Sequence, residues 1–122
     1  MVIGVGNALR HDDAAGLEVA RRVREVVDPE RVAVIEHEGE QSALLDIWQD
    51  VKAVVLVDAI RSGAPAGTIH RVDASEQPLP APPWGSSSTH AIGVAEAIEL
   101  ARALGRLPAR VVVYGVEGAR FD

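Results

Sequence analysis

The chain has 122 residues, 48% of them hydrophobic and 25% charged, with a net charge of −6 at pH 7. That is enough for one domain with its own core, and the composition argues against disorder. The absence of cysteine excludes disulfide frameworks, thiolate metal sites, iron–sulfur clusters and thiol nucleophiles. The acidic balance argues against a broad nucleic-acid footprint, and no apolar run approaches the about 18 residues of a membrane span. The N-terminus lacks the basic and apolar regions of an export signal, so a cytoplasmic protein is expected. Aromatic residues make up only 3%, so the core must be built from Val, Ile, Leu and Ala.

Strand-like and helix-like patterns alternate along the chain. Met1–Val5 is a short apolar run that ends in Gly4-Val5-Gly6, a buried strand meeting a turn. From Asp12 to Val27 the residues Val19, Ala20, Val23, Val26 and Val27 recur at helical spacing, with Arg21, Arg22, Arg24 and Glu25 between them. Asp28-Pro29 stops that helix. Arg31–Glu36 reads as a second strand, and Ser42–Gln49 as a short helix capped by Ser42. Lys52–Val57 is continuously apolar after its first residue, as a central parallel strand should be, and Asp58 follows it. A Gly/Pro turn at 62–67 leads to the alternating Thr68–Val72, an edge strand, and the four prolines of 77–83 demand a loop. His90–Leu104 is the longest helical pattern, with Ala91, Val94, Ala95, Ile98 and Ala101 on one face, and Arg110–Val116 is the last strand. No repeat or linker interrupts residues 1–122, so one domain is expected.

Such alternation implies right-handed crossovers and a mostly parallel sheet covered on both sides. Ligands then bind beyond the carboxyl ends of the strands. Three segments reach that edge: the stretch from Gly6 to Asp13, the residue Asp58, and Ser86-Ser87-Ser88-Thr89-His90. Two carboxylates and an imidazole can therefore meet there, a donor set that suits zinc, nickel or cobalt. His90 would stand in a helix's first turn, where the dipole disfavours the imidazolium and keeps the ring able to ligate. Each candidate also has a plainer reading. Asp12 and Asp13 suit a helix start, Asp58 suits a turn after a strand, and His90 could bond a nearby carbonyl. His11, His37 and His70 have no partner pattern and read as surface or structural. Glu36, Glu38 and Glu40 with His37 read as a solvated acidic face, and Trp48 and Trp84 as core or loop anchors. Serines 86–88 read as a polar loop before a helix cap.

Two other templates fail on spacing. Gly4-Val5-Gly6 begins like a dinucleotide fingerprint, but Leu9 stands where the third glycine belongs. A phosphoacceptor receiver needs a lysine after the last strand, where this chain has Gly115-Val116-Glu117.

The segment Gly4-Val5-Gly6-Asn7-Ala8-Leu9-Arg10-His11-Asp12-Asp13-Ala14-Ala15-Gly16 resembles the opening motif G-x-G-N-x-L-x-x-D-(D/E)-x-x-G of the nickel–iron hydrogenase maturation proteases. Val57-Asp58-Ala59-Ile60 with Gly63 and Ala66-Gly67-Thr68-Ile69 resembles a second block of that family. Ser88-Thr89-His90-Ala91-Ile92-Gly93 resembles a third, and Gly115-Val116-Glu117 a late one. The resemblance implies a three-layer α/β/α sandwich of the phosphorylase/hydrolase-like type, with one antiparallel edge strand. It implies an endopeptidase that removes the C-terminal extension of a hydrogenase large-subunit precursor after nickel insertion, with nickel as the recognition signal. Carried over by position, the catalytic and metal-contacting residues are Asp13, Asp58 and His90. The nickel would arrive with the precursor, and the free enzyme would be able to stand metal-free. The partner would be that precursor, with neither nucleic acid nor membrane, and a monomer is the expectation. The alternatives are a non-cleaving binder of the nickel-loaded precursor and a small-molecule hydrolase of the same fold. The sequence departs from the pattern at Ala14 and, loosely, at Glu38-Gly39-Glu40-Gln41. The family normally continues through a loop and a C-terminal helix, which is expected to be missing after Phe121-Asp122.

Overall fold

The valine- and isoleucine-rich runs pair into one five-stranded sheet. The structure, a computed structural model, describes residues 1–6, 15–38, 40–60, 63–80 and 89–117. In chain order the elements are β1 (Val2–Val5), α1 (Ala15–Val26), β2 (Val34–His37), α2 (Gln41–Ile47), β3 (Ala53–Ile60), β4 (Ile69–Asp73), α3 (Thr89–Ala103) and β5 (Arg110–Glu117). The strand order is β2-β1-β3-β5-β4. All neighbours run parallel except the edge strand β4, which is antiparallel to β5. This is the expected mostly parallel α/β sheet with one antiparallel edge strand. None of the described helices is long and apolar enough to cross a membrane.

Strand alternation sorts the side chains between two helical layers. Gly4 faces α1, because a Cβ there would meet the Gly16 carbonyl and the Ala20 Cβ. The odd positions of β1, Ile3 and Val5, face the other way. They join Val54, Leu56 and Ile60 of β3 and Val111 and Val113 of β5 beneath α2 and α3. Leu44, Leu45 and Trp48 come from α2 and its end, and Val94, Ala97, Ile98 and Ala101 from α3. Each large aliphatic side chain buried there stabilises the fold by about 1.5–3 kcal/mol. Trp48 is thus a core anchor, whereas Trp84 lies outside the described residues.

Besides a second strand that runs over Val34–His37 in place of Arg31–Glu36, three departures from the sequence reading bear on the packing. Val26 is 82% exposed, because the buried side of α1 follows Gly16, Leu17 and Ala20. The cap of α2 is Glu40 and not Ser42: its carboxylate accepts from the Ser42 and Ala43 backbone N–H groups at 3.1 and 2.9 Å. Ser42 Oγ also donates to that carboxylate at 2.9 Å. The third departure is that β3 continues through Asp58 to Ile60, since Ala59 and Ile60 still pair with Val116 and Glu117 of β5.

The supposed acidic face is therefore divided. Glu36 accepts from Arg21 Nε at 3.0 Å and from Arg24 Nη1 at 3.1 Å, tying β2 to α1, while Glu40 serves α2. The hydrogen bond from Arg24 holds the Glu36 carboxyl below its ordinary value of 4.5. The Ala43 backbone N–H does the same for Glu40. Depressed carboxyl groups bind fewer protons folded than unfolded, so their stabilisation is present above about pH 4.5 and lost as the pH falls through the folded values. Glu40→Gln is accordingly expected to melt below wild type at neutral pH, with the gap closing in acid. Thermal melts from about pH 7 down to 3 would read this, and a gap independent of pH would refute it.

Candidate functional site

The carboxyl edge of the sheet carries one row of residues in register across all five strands. It runs His37 (β2), Val5 (β1), Asp58 (β3), Gly115 (β5) and His70 (β4). Residues in register share a face, and Val5 belongs to the core beneath α2 and α3. Asp58 is therefore not a solvated turn residue. It is a fully buried carboxylate on the core face, between Leu56 and Ile60 of its own strand. Burying a carboxylate is expensive unless opposite charge, hydrogen bonds or a metal compensate, so its place on the core face marks Asp58 as a candidate for function.

Topology brings the start of α3 to the same place. At the far end of that helix, Arg102 Nη2 donates to the Ala74 carbonyl at 2.9 Å and to that of Gln77 at 3.2 Å, just past the end of β4. The C-terminus of α3 is thereby fixed at the amino edge of the sheet. Its 15 residues span about 22 Å, roughly the length of β5 from Val111 to Glu117. Thr89 and His90, in the first turn, thus stand at the carboxyl edge and on the side of the sheet that Asp58 faces. Asp13 lies outside the described residues, as do His11, Asp12 and Ser86–Ser88. Both described flanks of the Asp13 segment reach this edge, however. Gly6 N–H donates to the His37 carbonyl at 2.9 Å, and Gly16 sits against the carbonyl oxygens of Val5 and Val57.

Two further ionisable residues stand here that the sequence reading left aside. Glu117 is 4% exposed and lies opposite Ile60, two residues past Gly115. His70 Nε2 lies 3.2 Å from Glu117 Oε1. His70 thus has a partner and is not a plain surface residue. The sequence offered the alternation of Thr68–Val72 and the late block Gly115-Val116-Glu117, and neither reveals the register that joins β4 to β5. His37, at the other end of the row, is partly buried, and that burial pushes its imidazole below the ordinary value of 6.5 while Glu40 and Glu38 act the opposite way. Among the described residues, no three His, Asp or Glu converge closely enough to hold a metal ion. A site built on Asp58 would need donors from His90 and from the segment after β1.

Residues 17–122 match the family model described as hydrogenase maturation protease. That match begins at Leu17, so the opening block from Gly4 to Gly16 lies before it. The chain is 30% identical over 125 residues to the hydrogenase expression/formation protein HupD of Thiocapsa roseopersicina, covering 100% of this chain and 55% of that protein. HupD of Rhodobacter capsulatus is 26% identical over 124 residues, with 100% of this chain and 58% of that protein covered. The chain thus spans about half the length of the curated relatives it matches. Among solved structures, the hydrogenase maturating endopeptidase HybD from E. coli superposes with a TM-score of 0.72 at 22% identity, over 99% of this chain and 75% of that one. HycI from Thermococcus kodakarensis gives 0.66 at 26% identity, over 97% and 72%. The fold is the one these proteins share.

Proposed function

This chain belongs to the hydrogenase maturation protease family, and on that premise we propose that it is an endopeptidase acting on a nickel–iron hydrogenase large-subunit precursor. The bond cut is the one that releases the precursor's C-terminal extension, and the cut follows nickel insertion. Nickel belongs to the substrate in this reading and marks a precursor as ready. Asp13, Asp58 and His90 contact it, two carboxylates and one imidazole, a mixed oxygen and nitrogen set that suits a borderline divalent ion. An ion so held polarises a neighbouring carbonyl or lowers the pKa of a bound water. The absence of cysteine leaves no thiol nucleophile to compete with that chemistry.

The observation that carries the reading is the place of Asp58. It is a fully buried carboxylate at the carboxyl edge, on the side of the sheet where the first turn of α3 brings His90. The reaction takes place in the cytoplasm, where the precursor is folded around its metal, and the acidic surface favours a specific encounter with one protein partner.

The test is the intact mass of the nickel-loaded precursor, incubated with and without this protein. Loss of one defined C-terminal peptide, only when nickel and protein are both present, is the expected result. An unchanged mass despite demonstrable binding would replace the protease with a non-cleaving binder.

A further inference from the structure

The His70–Glu117 pair stands on the same face of the sheet as Asp58, and the function proposed above gives it no task. Its construction is specific. The Glu117 side chain is only 2% exposed, whereas that of His70 is 32% exposed, so the carboxylate lies inside and the imidazole reaches toward solvent. Both polar groups of the Glu117 backbone are held by the residues just before β4. Its N–H donates to the Thr68 carbonyl at 2.8 Å, and its carbonyl accepts from Gly67 N–H at 2.9 Å. In register, His70 faces Gly115, and Gly115 faces Asp58. His70 and Asp58 are therefore two strand spacings apart, about 10 Å, and the residue between them has no side chain to fill the gap.

This pairing fits proton transfer better than metal binding. No third His, Asp or Glu among the described residues joins it at ligand distance. The 3.2 Å contact to Glu117 Oε1 is made by Nε2, so with an ionised carboxylate, which can only accept, Nε2 is the donor and a neutral ring keeps its lone pair on Nδ1. A buried carboxylate behind an imidazole fixes the ring and stabilises the imidazolium that forms when Nδ1 takes a proton.

We infer that His70 is the proton-transfer residue of the peptide hydrolysis proposed above, on which this inference rests, and that Glu117 is its positioning residue. Nδ1 takes one proton from the attacking water as the water oxygen bonds to the scissile carbonyl carbon. The imidazolium then gives that proton to the amide nitrogen as the carbon–nitrogen bond breaks. The products are a free amine and a carboxylic acid, which loses its remaining proton to solvent.

The experiment is single-turnover cleavage of nickel-loaded precursor by wild type, His70→Gln, His70→Ala and Glu117→Gln, with precursor binding and melting temperature measured alongside. His70→Gln is expected to bind precursor and melt like wild type, yet to cleave about 10²- to 10³-fold more slowly. Added imidazole should restore part of the rate to His70→Ala, which a merely structural histidine would not allow. Glu117→Gln should slow cleavage with little change in the half-saturating precursor concentration. If wild type cleaves and His70→Gln stays within about threefold of it, the inference is overturned while the protease reading stands. If wild type itself fails to cleave, both fall together.

Discussion

Asp58→Asn is expected to slow precursor cleavage by about 10²- to 10³-fold while leaving the chain folded. Asparagine keeps the volume and one acceptor oxygen of a side chain with no exposure to solvent, so the packing around Leu56 and Ile60 has no cavity to absorb. What it removes is the negative charge. A buried charge is seldom the most stabilising choice for its position, because desolvation offsets most of what its partners return. The melting temperature should therefore stay within about 5 °C of wild type. In the proposed reaction activity depends on that charge being held in a water-poor place, and the loss of one such electrostatic contact costs about 10²- to 10³-fold in rate. Asp73→Asn is the control. That carboxylate sits at the amino edge, accepts from Ser75 N–H at 3.0 Å, and should be silent in cleavage. A fully active Asp58→Asn would remove the residue on which the functional reading rests.

Much of this edge was legible from the sequence, and the limits of that legibility are physical. The apolar runs of β3 and β5 announced themselves because strands buried on both faces have no polar period to hide them. The end of β3 was misplaced for the same reason: a charge inside an apolar run reads as a boundary, whereas hydrogen bonding to β5 carries the strand two residues further. The cap of α2 was missed because glutamate is an unusual N-cap, and its longer carboxylate reaches the N–H groups of Ser42 and Ala43 in a way composition does not advertise. Asp58 could be proposed as an edge residue from its neighbours alone. Its complete burial could not, because that depends on which face of β3 the pairing with β1 selects. The His70–Glu117 contact joins residues 47 apart through an antiparallel register that nothing in either segment specifies.

The opening motif gains a mechanical meaning from the packing of β1 on α1, and Gly4→Ala tests it. The two outer glycines of that motif, Gly4 and Gly16, form a single contact. A Cβ on Gly4 would overlap the Gly16 carbonyl oxygen and come within 2.6 Å of the Ala20 Cβ, and a Cβ on Gly16 would overlap the carbonyl oxygens of Val5 and Val57. Most of these obstacles are backbone, so they cannot yield by changing a rotamer, and α1 has to move off the sheet. Gly4→Ala should cost about 3 kcal/mol and lower the melting temperature by about 10 °C. Adding Ala20→Gly should recover little, because it removes the side-chain clash and leaves the backbone one. Gly105→Ala offers the contrast. Gly105 has open space around it but a φ of 68°, where it ends α3, so only local strain of about 1 kcal/mol is expected. Displacement of α1 would also move the end of the segment that carries Asp13, so Gly4→Ala should lose cleavage at temperatures where it is still folded. Retained cleavage alongside a lowered melting temperature would separate the glycine contact from the site and make it purely a matter of stability.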